Sequence, residues 1–196
     1  MGMKTIILNP FQKFSEKQLI TFGISATVIG GLLSLLFNGR FDGVLDLHFT
    51  EKTTIATTAL DLIISFSILA SILFLFGKLI NKKTRLIDIL ATCFISKIPF
   101  FFLLFFNINN KMFLVTENLM KMVSTNKPTN IETPDTIFLM SSGIATFACL
   151  IWSIALLFNG FRTATNLKET KHILLFALAI ILAEVASKII ILNLNY

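Results

Sequence analysis

Charge is scarce in this chain. Asp, Glu, Lys and Arg make up 14% of its 196 residues, against about 25% in soluble domains. That scarcity excludes an ordinary water-soluble globule. Cysteine is nearly absent too. Cys93 and Cys149 both lie inside apolar runs, with no partner at metal-ligand spacing, and read as small packing residues. Only His48 and His172 could serve as catalytic imidazoles; they fall on opposite sides of the expected bilayer and cannot share a site. The sequence has no hydrolase elbow, P-loop, dinucleotide-binding glycine fingerprint or zinc-protease helix. No enzyme, cofactor or resident metal is expected. The formal charge of +6 comes without an aromatic-interleaved basic stripe, so nucleic acid is not an expected partner.

What is abundant is hydrocarbon. Hydrophobic residues reach 55% and mean hydropathy is +0.81, and they gather in runs of about 20 residues, the length that crosses a bilayer. The expected fold is all-α, a polytopic membrane protein with a bundle of five transmembrane helices in one membrane domain, 1–196. The spans are expected at about 18–37, 57–79, 86–106, 136–158 and 172–192. The first is a retained anchor, since it lacks a signal-peptide cleavage site. Met1-Gly2 begins like an acylation signal but has Ile6 where Ser or Thr is wanted. In the lead-in, Asn9 and Pro10 suit a helix start, with an irregular segment as the alternative. The basic connector Lys78 to Arg85 makes the second and third spans an antiparallel hairpin.

Small residues recur every fourth position in two spans. Gly23, Thr27 and Gly31, beside Ala26, Gly30 and Ser34, mark a close-packing face on the first; Ser141, Ala145, Cys149 and Ser153 mark one on the fourth. Between the spans, Leu45, Leu47 and Phe49 alternate with Asp46 and His48, hinting at a short extended piece. Asp42, Asp46 and His48 either gather a metal or belong to a solvated loop, the latter being favoured. Lys111 to Ser124 carries Met112, Val115, Leu119, Met120 and Val123 at helical spacing, as an amphipathic surface helix would, closed by Pro128 and Pro134. Tyr196 suits an interfacial anchor. Lys and Arg number ten on the N-terminal side of the membrane and five on the other, which places the N terminus in the cytoplasm and the C terminus outside.

The third span holds the anomaly. Lys97 stands near its middle, two residues before Pro99, with Asp88 near its start. A mid-bilayer lysine costs about 2.5–3.5 kcal/mol on insertion scales. At about 1.5 Å per residue, Lys97 and Glu184 match in depth at roughly 16–18 Å, while Asp61 and Lys188 match at roughly 24–27 Å. This predicts two pairs, Lys97 with Glu184 and Lys188 with Asp61, in a polar centre shared by spans two, three and five. Glu184 and Lys188 are also i, i+4 on one helix face, and Asp88 can meet Arg85 or water. Pro99 frees a carbonyl near Ile95 that needs another partner. Three readings stay open: the pairs fix helix register; the centre binds an ion, proton or lipid headgroup; or Lys188 and Asp61 snorkel outward independently.

Three stretches together resemble the Yip1-domain membrane proteins. These are Arg85-Leu86-Ile87-Asp88 through Ser96-Lys97-Ile98-Pro99-Phe100, Trp152 through Leu157-Phe158-Asn159-Gly160-Phe161, and Ala183-Glu184-Val185-Ala186-Ser187-Lys188. The resemblance implies five spans, a cytoplasmic N terminus and a short C-terminal tail. It is nearest to the bacterial branch, which implies the bacterial inner membrane. In eukaryotes the family implies association with Rab GTPases in vesicle transport. That role is not carried over, because the chain has neither the long cytoplasmic N-terminal region nor the Asp-Leu-Tyr-Gly-Pro motif before its first span. The expected role is a non-enzymatic scaffold or adaptor, whose partners are the lipid bilayer and other membrane proteins or a second copy. The alternative is a small transporter or permeability factor for an ion, proton or lipid, acting around Lys97 and Glu184.

Overall fold

The computed structural model describes residues 3–125 and 133–194, so Met1, Gly2, Pro128 and Tyr196 lie outside the described residues. Among the described residues five helices are long and apolar enough to cross a membrane: α2 (Glu16–Leu36), α3 (Ile55–Ile80), α4 (Leu86–Leu103), α6 (Thr133–Thr165) and α7 (Thr170–Leu194). Two shorter ones accompany them, α1 (Met3–Leu8) and α5 (Lys111–Thr125). The protein is all-α and membrane-embedded. Among the described residues the one sheet is a two-residue ladder, Gly39–Arg40 against His48–Phe49, at the place where extended structure was expected.

Local chemistry sets the helix starts. Ser15 opens α2 with a reciprocal box, its hydroxyl accepting from the Gln18 amide while Gln18 Oε1 accepts from the Ser15 amide at 3.0 Å. Thr54 and Thr57 do the same for α3. Such boxes satisfy donors that a helix start leaves orphaned. At the N-terminal 3-10 turn, Pro10 occupies the first position, but Asn9 makes no side-chain cap.

The hub is α4. About two thirds of its apolar stretch is buried (67%), against 22–33% for the other four spans. It packs against α2, α3 and α6, while α7 packs mainly on α3. The backbones approach closely where side chains vanish. A methyl group on Gly23 would lie 2.6 Å from Phe94 Cβ, and one on Gly160 would collide with Thr92. Gly30 faces Phe101 and Gly31 faces Leu62, so the small residues of α2 serve contacts within the chain. Thr27 bonds back to the Gly23 carbonyl at 2.8 Å.

Three expectations need correction. The fourth span runs on to Thr165 and does not stop at Phe158. Gly160 and Phe161 are buried, and that packing holds the helix past the end of the apolar run. The third span ends its α-helix at Leu103, three residues early, in a 3-10 stretch to Asn110. There Asn107 turns the chain, donating to the Phe37 carbonyl at 2.7 Å and accepting from the Phe113 amide at 2.9 Å. On α6 the small-residue stripe is not a continuous contact: Ser153 is buried, Cys149 and Ala145 are half-buried, and Ser141 is exposed. Helix α6 is most tightly buried around Ser153 and Gly160, while nearer its start Phe138 meets Phe106 and Ala145 and Cys149 pack on the cluster around Phe100 and Phe101.

Pro99 lies inside α4 without ending it. The Ser153 hydroxyl donates to the Ser96 carbonyl at 2.7 Å, one residue beyond the carbonyl expected to need a partner. Cys93 is buried in the core and Cys149 half-buried, both as free thiols.

Candidate functional site

Between α2 and α3 the chain does not skirt the bundle as a solvated loop. Residues 38–54 fold back between the helices, with Phe41 1% and Val44 3% exposed. Val44 joins Leu73, Ile89, Leu157 and Phe176 in the largest core cluster. Irregular backbone at membrane depth is tolerated only where protein or water satisfies its polar groups. Here the protein's buried charges satisfy them.

Lys97, 5% exposed, donates to the Gly43 carbonyl at 3.0 Å and the Val44 carbonyl at 2.8 Å. Its ammonium also lies 4.8 Å from the Phe41 ring centroid and 5.3 Å from that of Phe100, within cation–π range. Glu184 accepts from the Leu45 amide at 2.7 Å. A methyl group on Gly43 would lie 2.6 Å from Glu184 Oε1, so glycine lets the carboxylate reach the loop. The predicted Lys97–Glu184 ion pair is thus corrected: among the described residues the two side chains grip successive residues of one loop, Lys97 at the Gly43 and Val44 carbonyls and Glu184 at the Leu45 amide. Charge-assisted bonds of this kind are about twice as strong as neutral ones.

The second predicted pair is also replaced. Asp61, fully buried, accepts from Nε and Nη2 of the Arg40 guanidinium at 2.8 and 2.9 Å. Lys188 pairs instead with Asp46 and lies 3.8 Å from Glu184 on its own helix. Depth matching fails because it ignored the loop, which supplies Arg40 and Asp46 as nearer partners. His48 Nδ1 lies 2.9 Å from Asp42 Oδ2. Hydrogen bonding to Asp42 raises the His48 pKa against the opposing effect of burial. Burial pushes the Asp42 carboxyl up, but bonding and attraction to His48 outweigh it and hold Asp42 below its usual range. With His48 protonated, Asp42, Asp46, Asp61 and Glu184 are matched by Arg40, His48, Lys97 and Lys188. Among the described residues, no three His, Cys, Asp or Glu side chains are grouped to hold a metal.

Asp88 stands apart at the opposite end of the bundle, bonded to Arg85 at 2.9 and 3.0 Å, with Glu16 as the third member at 2.8 Å from the same guanidinium. Sequence reasoning missed Arg40 and Asp46 as clamp residues and Gly43 as the point of closest approach. The available signal was a glycine between charged residues in a stretch carrying Phe41, Val44, Leu45 and Leu47. It also missed the work of two residues in the second family-like stretch. Trp152 Nε1 donates to the Ile7 carbonyl at 2.9 Å and Asn159 donates to the Leu8 carbonyl at 2.8 Å. Together they tie the end of α1 to α6.

The three stretches that carry the resemblance therefore carry the clamp, the α1 tie and the Arg85–Asp88 pair. No curated protein and no solved structure matches the chain. Residues 5–188 match the Yip1 domain, a match that takes in every one of these groups, and the chain belongs to the Yip1 domain family.

Proposed function

We propose that the protein is a non-enzymatic scaffold or adaptor of the bacterial inner membrane. It works through helix contacts with other membrane proteins or a second copy, with its N terminus in the cytoplasm. One observation carries the reading: the buried charges are engaged by the chain's own loop and the bundle's inner surfaces by one another. What the protein offers outward is the apolar flank of its helices. On α6, Ser141 and Gly143 are exposed, and an added methyl at Gly143 meets nothing within 4 Å. Small residues left open in this way suit a close approach by another helix. The orientation rests on the two-to-one excess of basic residues at the N-terminal side.

Gly143→Leu with Ser141→Leu is expected to abolish cross-linked or co-purified partners while leaving thermal stability unchanged. Partner recovery equal to the parent protein's would defeat the proposal. Alkaline phosphatase fusions after residues 37 and 80 should be active at the first and silent at the second; the reverse would invert the orientation.

The second reading is a small transporter or permeability factor. It is favoured by a cavity of about 320 Å³ beside the clamp, lined in part by Asp46, His48, Thr116, Ser142 and Thr146. Purified protein in proteoliposomes decides: an absence of conductance, pH-linked uptake and lipid movement eliminates this reading.

A further inference from the structure

A larger cavity, about 510 Å³, opens at the other end of the bundle between α1, the start of α2, α4 and α6. Its floor includes Leu19, Ile95 and Leu156, which form a core cluster. One wall is flat, because Phe102 and Trp152 stack with centroids 6.2 Å apart and planes 12° from parallel. Ile6 and Ile7 of α1 form the facing edge. Gln18 is the one polar residue in the lining apart from the Trp152 indole N–H, and that donor already bonds the Ile7 carbonyl. A polar ligand would find almost no partner here, and water does not settle in an apolar cavity.

The mouth has the opposite character. Phe14 and Gln18 belong to the lining and are themselves exposed, and each follows an exposed lysine, Lys13 and Lys17. Lys13 Nζ lies 5.5 Å from the Phe14 ring centroid, which puts an ammonium at the entrance. Anionic lipid attracts basic residues at a membrane surface. The groove lies along membrane-spanning helices, where hydrocarbon chains are the surrounding solvent.

We propose that this groove binds one acyl chain of an anionic phospholipid, with the headgroup held at Lys13 and Lys17. The bound lipid then fastens α1, already tied by Trp152 and Asn159, to the adjoining leaflet. The site is independent of the scaffold reading and of the loop clamp.

The test is native mass spectrometry of the purified full chain after delipidation and addition of phosphatidylglycerol or phosphatidylcholine with identical acyl chains. The parent protein is expected to retain one phosphatidylglycerol, with a preference of about tenfold over phosphatidylcholine. Ile98→Trp should fill the groove and remove retention. Ile7→Trp, on the exposed α1 edge and away from the bundle core, should do the same if Ile98→Trp fails to fold. Lys13→Glu with Lys17→Glu should erase the headgroup preference while an acyl chain still binds. Retention unchanged by either tryptophan, equal retention of both lipids by the parent, or a lipid-free dimer seated through this face would each overturn the proposal.

Discussion

Two charged networks sit at opposite ends of this bundle, and their settings differ more than their chemistry. At one end Arg85 grips Glu16 and Asp88 with 59% of its side chain exposed. At the other, Lys97 and Asp61 are buried and close on loop 38–54. Exposed pairs are worth about 0–1 kcal/mol, because water competes for both partners. Buried groups have no such competitor, and removing one partner strands the other at a cost of about 3–5 kcal/mol. The comparison also separates two uses of charge. The Arg85 network joins side chains of α2 and α4; the Lys97 network satisfies main-chain atoms that could not otherwise remain inside a membrane protein.

The comparison is sharpest at Asp61. Asp61→Leu removes the carboxylate gripped by Arg40, and destabilisation of about 3–5 kcal/mol is expected in detergent-mediated unfolding. Next comes Lys97→Met, which strips the donor from two buried carbonyls and should cost about 2–4 kcal/mol. Combined with Glu184→Leu it should cost less than the sum of the single changes, because either one frees the same loop segment; strict additivity would show that the two grips are independent. Gly160→Leu forces α6 away from Thr92 and should cost about 1–3 kcal/mol by overpacking. Arg85→Ala, at the exposed end, should leave stability nearly unchanged; a loss as large as that of Asp61→Leu would erase the distinction between the two ends.

The smallest effect is a pH dependence. The His48 pKa is raised in the folded protein above its ordinary 6.5. Its contribution is therefore complete below the unfolded value and is lost as pH rises through the folded one. The Asp42 pKa is lowered below 3.8, so its contribution is present above that value and is lost on acidification. Their bond should help most between those limits. His48 is 43% exposed, which limits the gain to about 0.5 kcal/mol. Unfolding of the parent and His48→Gln proteins across the pH range should show their difference shrinking on the alkaline side; a growing difference would reverse the assignment.

The five spans were legible because hydrocarbon length and basic connectors are local signals, and each expected helix lies within a few residues of its place except at Phe158. The charged centre was legible in membership but not in pairing. Lys97, Glu184, Asp61 and Lys188 all surround one loop, yet none bonds as helix depth suggested, except that Glu184 and Lys188 are near each other on one face. A depth argument treats connectors as outside the bundle, and here a connector is the partner. Backbone carbonyls carry no sequence signature, so the ligands of Lys97 could not be read. Asp88 beside Arg85 was readable because Arg85 directly precedes the helix that carries Asp88 three positions on, so the two are neighbours in the chain as well as in space.

The clamp on loop 38–54 also has a consequence in time. Leu45 leaves the ribosome 139 residues before Glu184, which at about 5–20 residues per second is roughly 7–28 s. Through that interval the loop has no final seat, and Asp46 waits equally long for Lys188. Helix α7, made long after the loop between α2 and α3, is the one that locks it. A nascent chain halted before residue 184 should leave residues 38–54 open to protease, and the segment should become resistant only when α7 arrives.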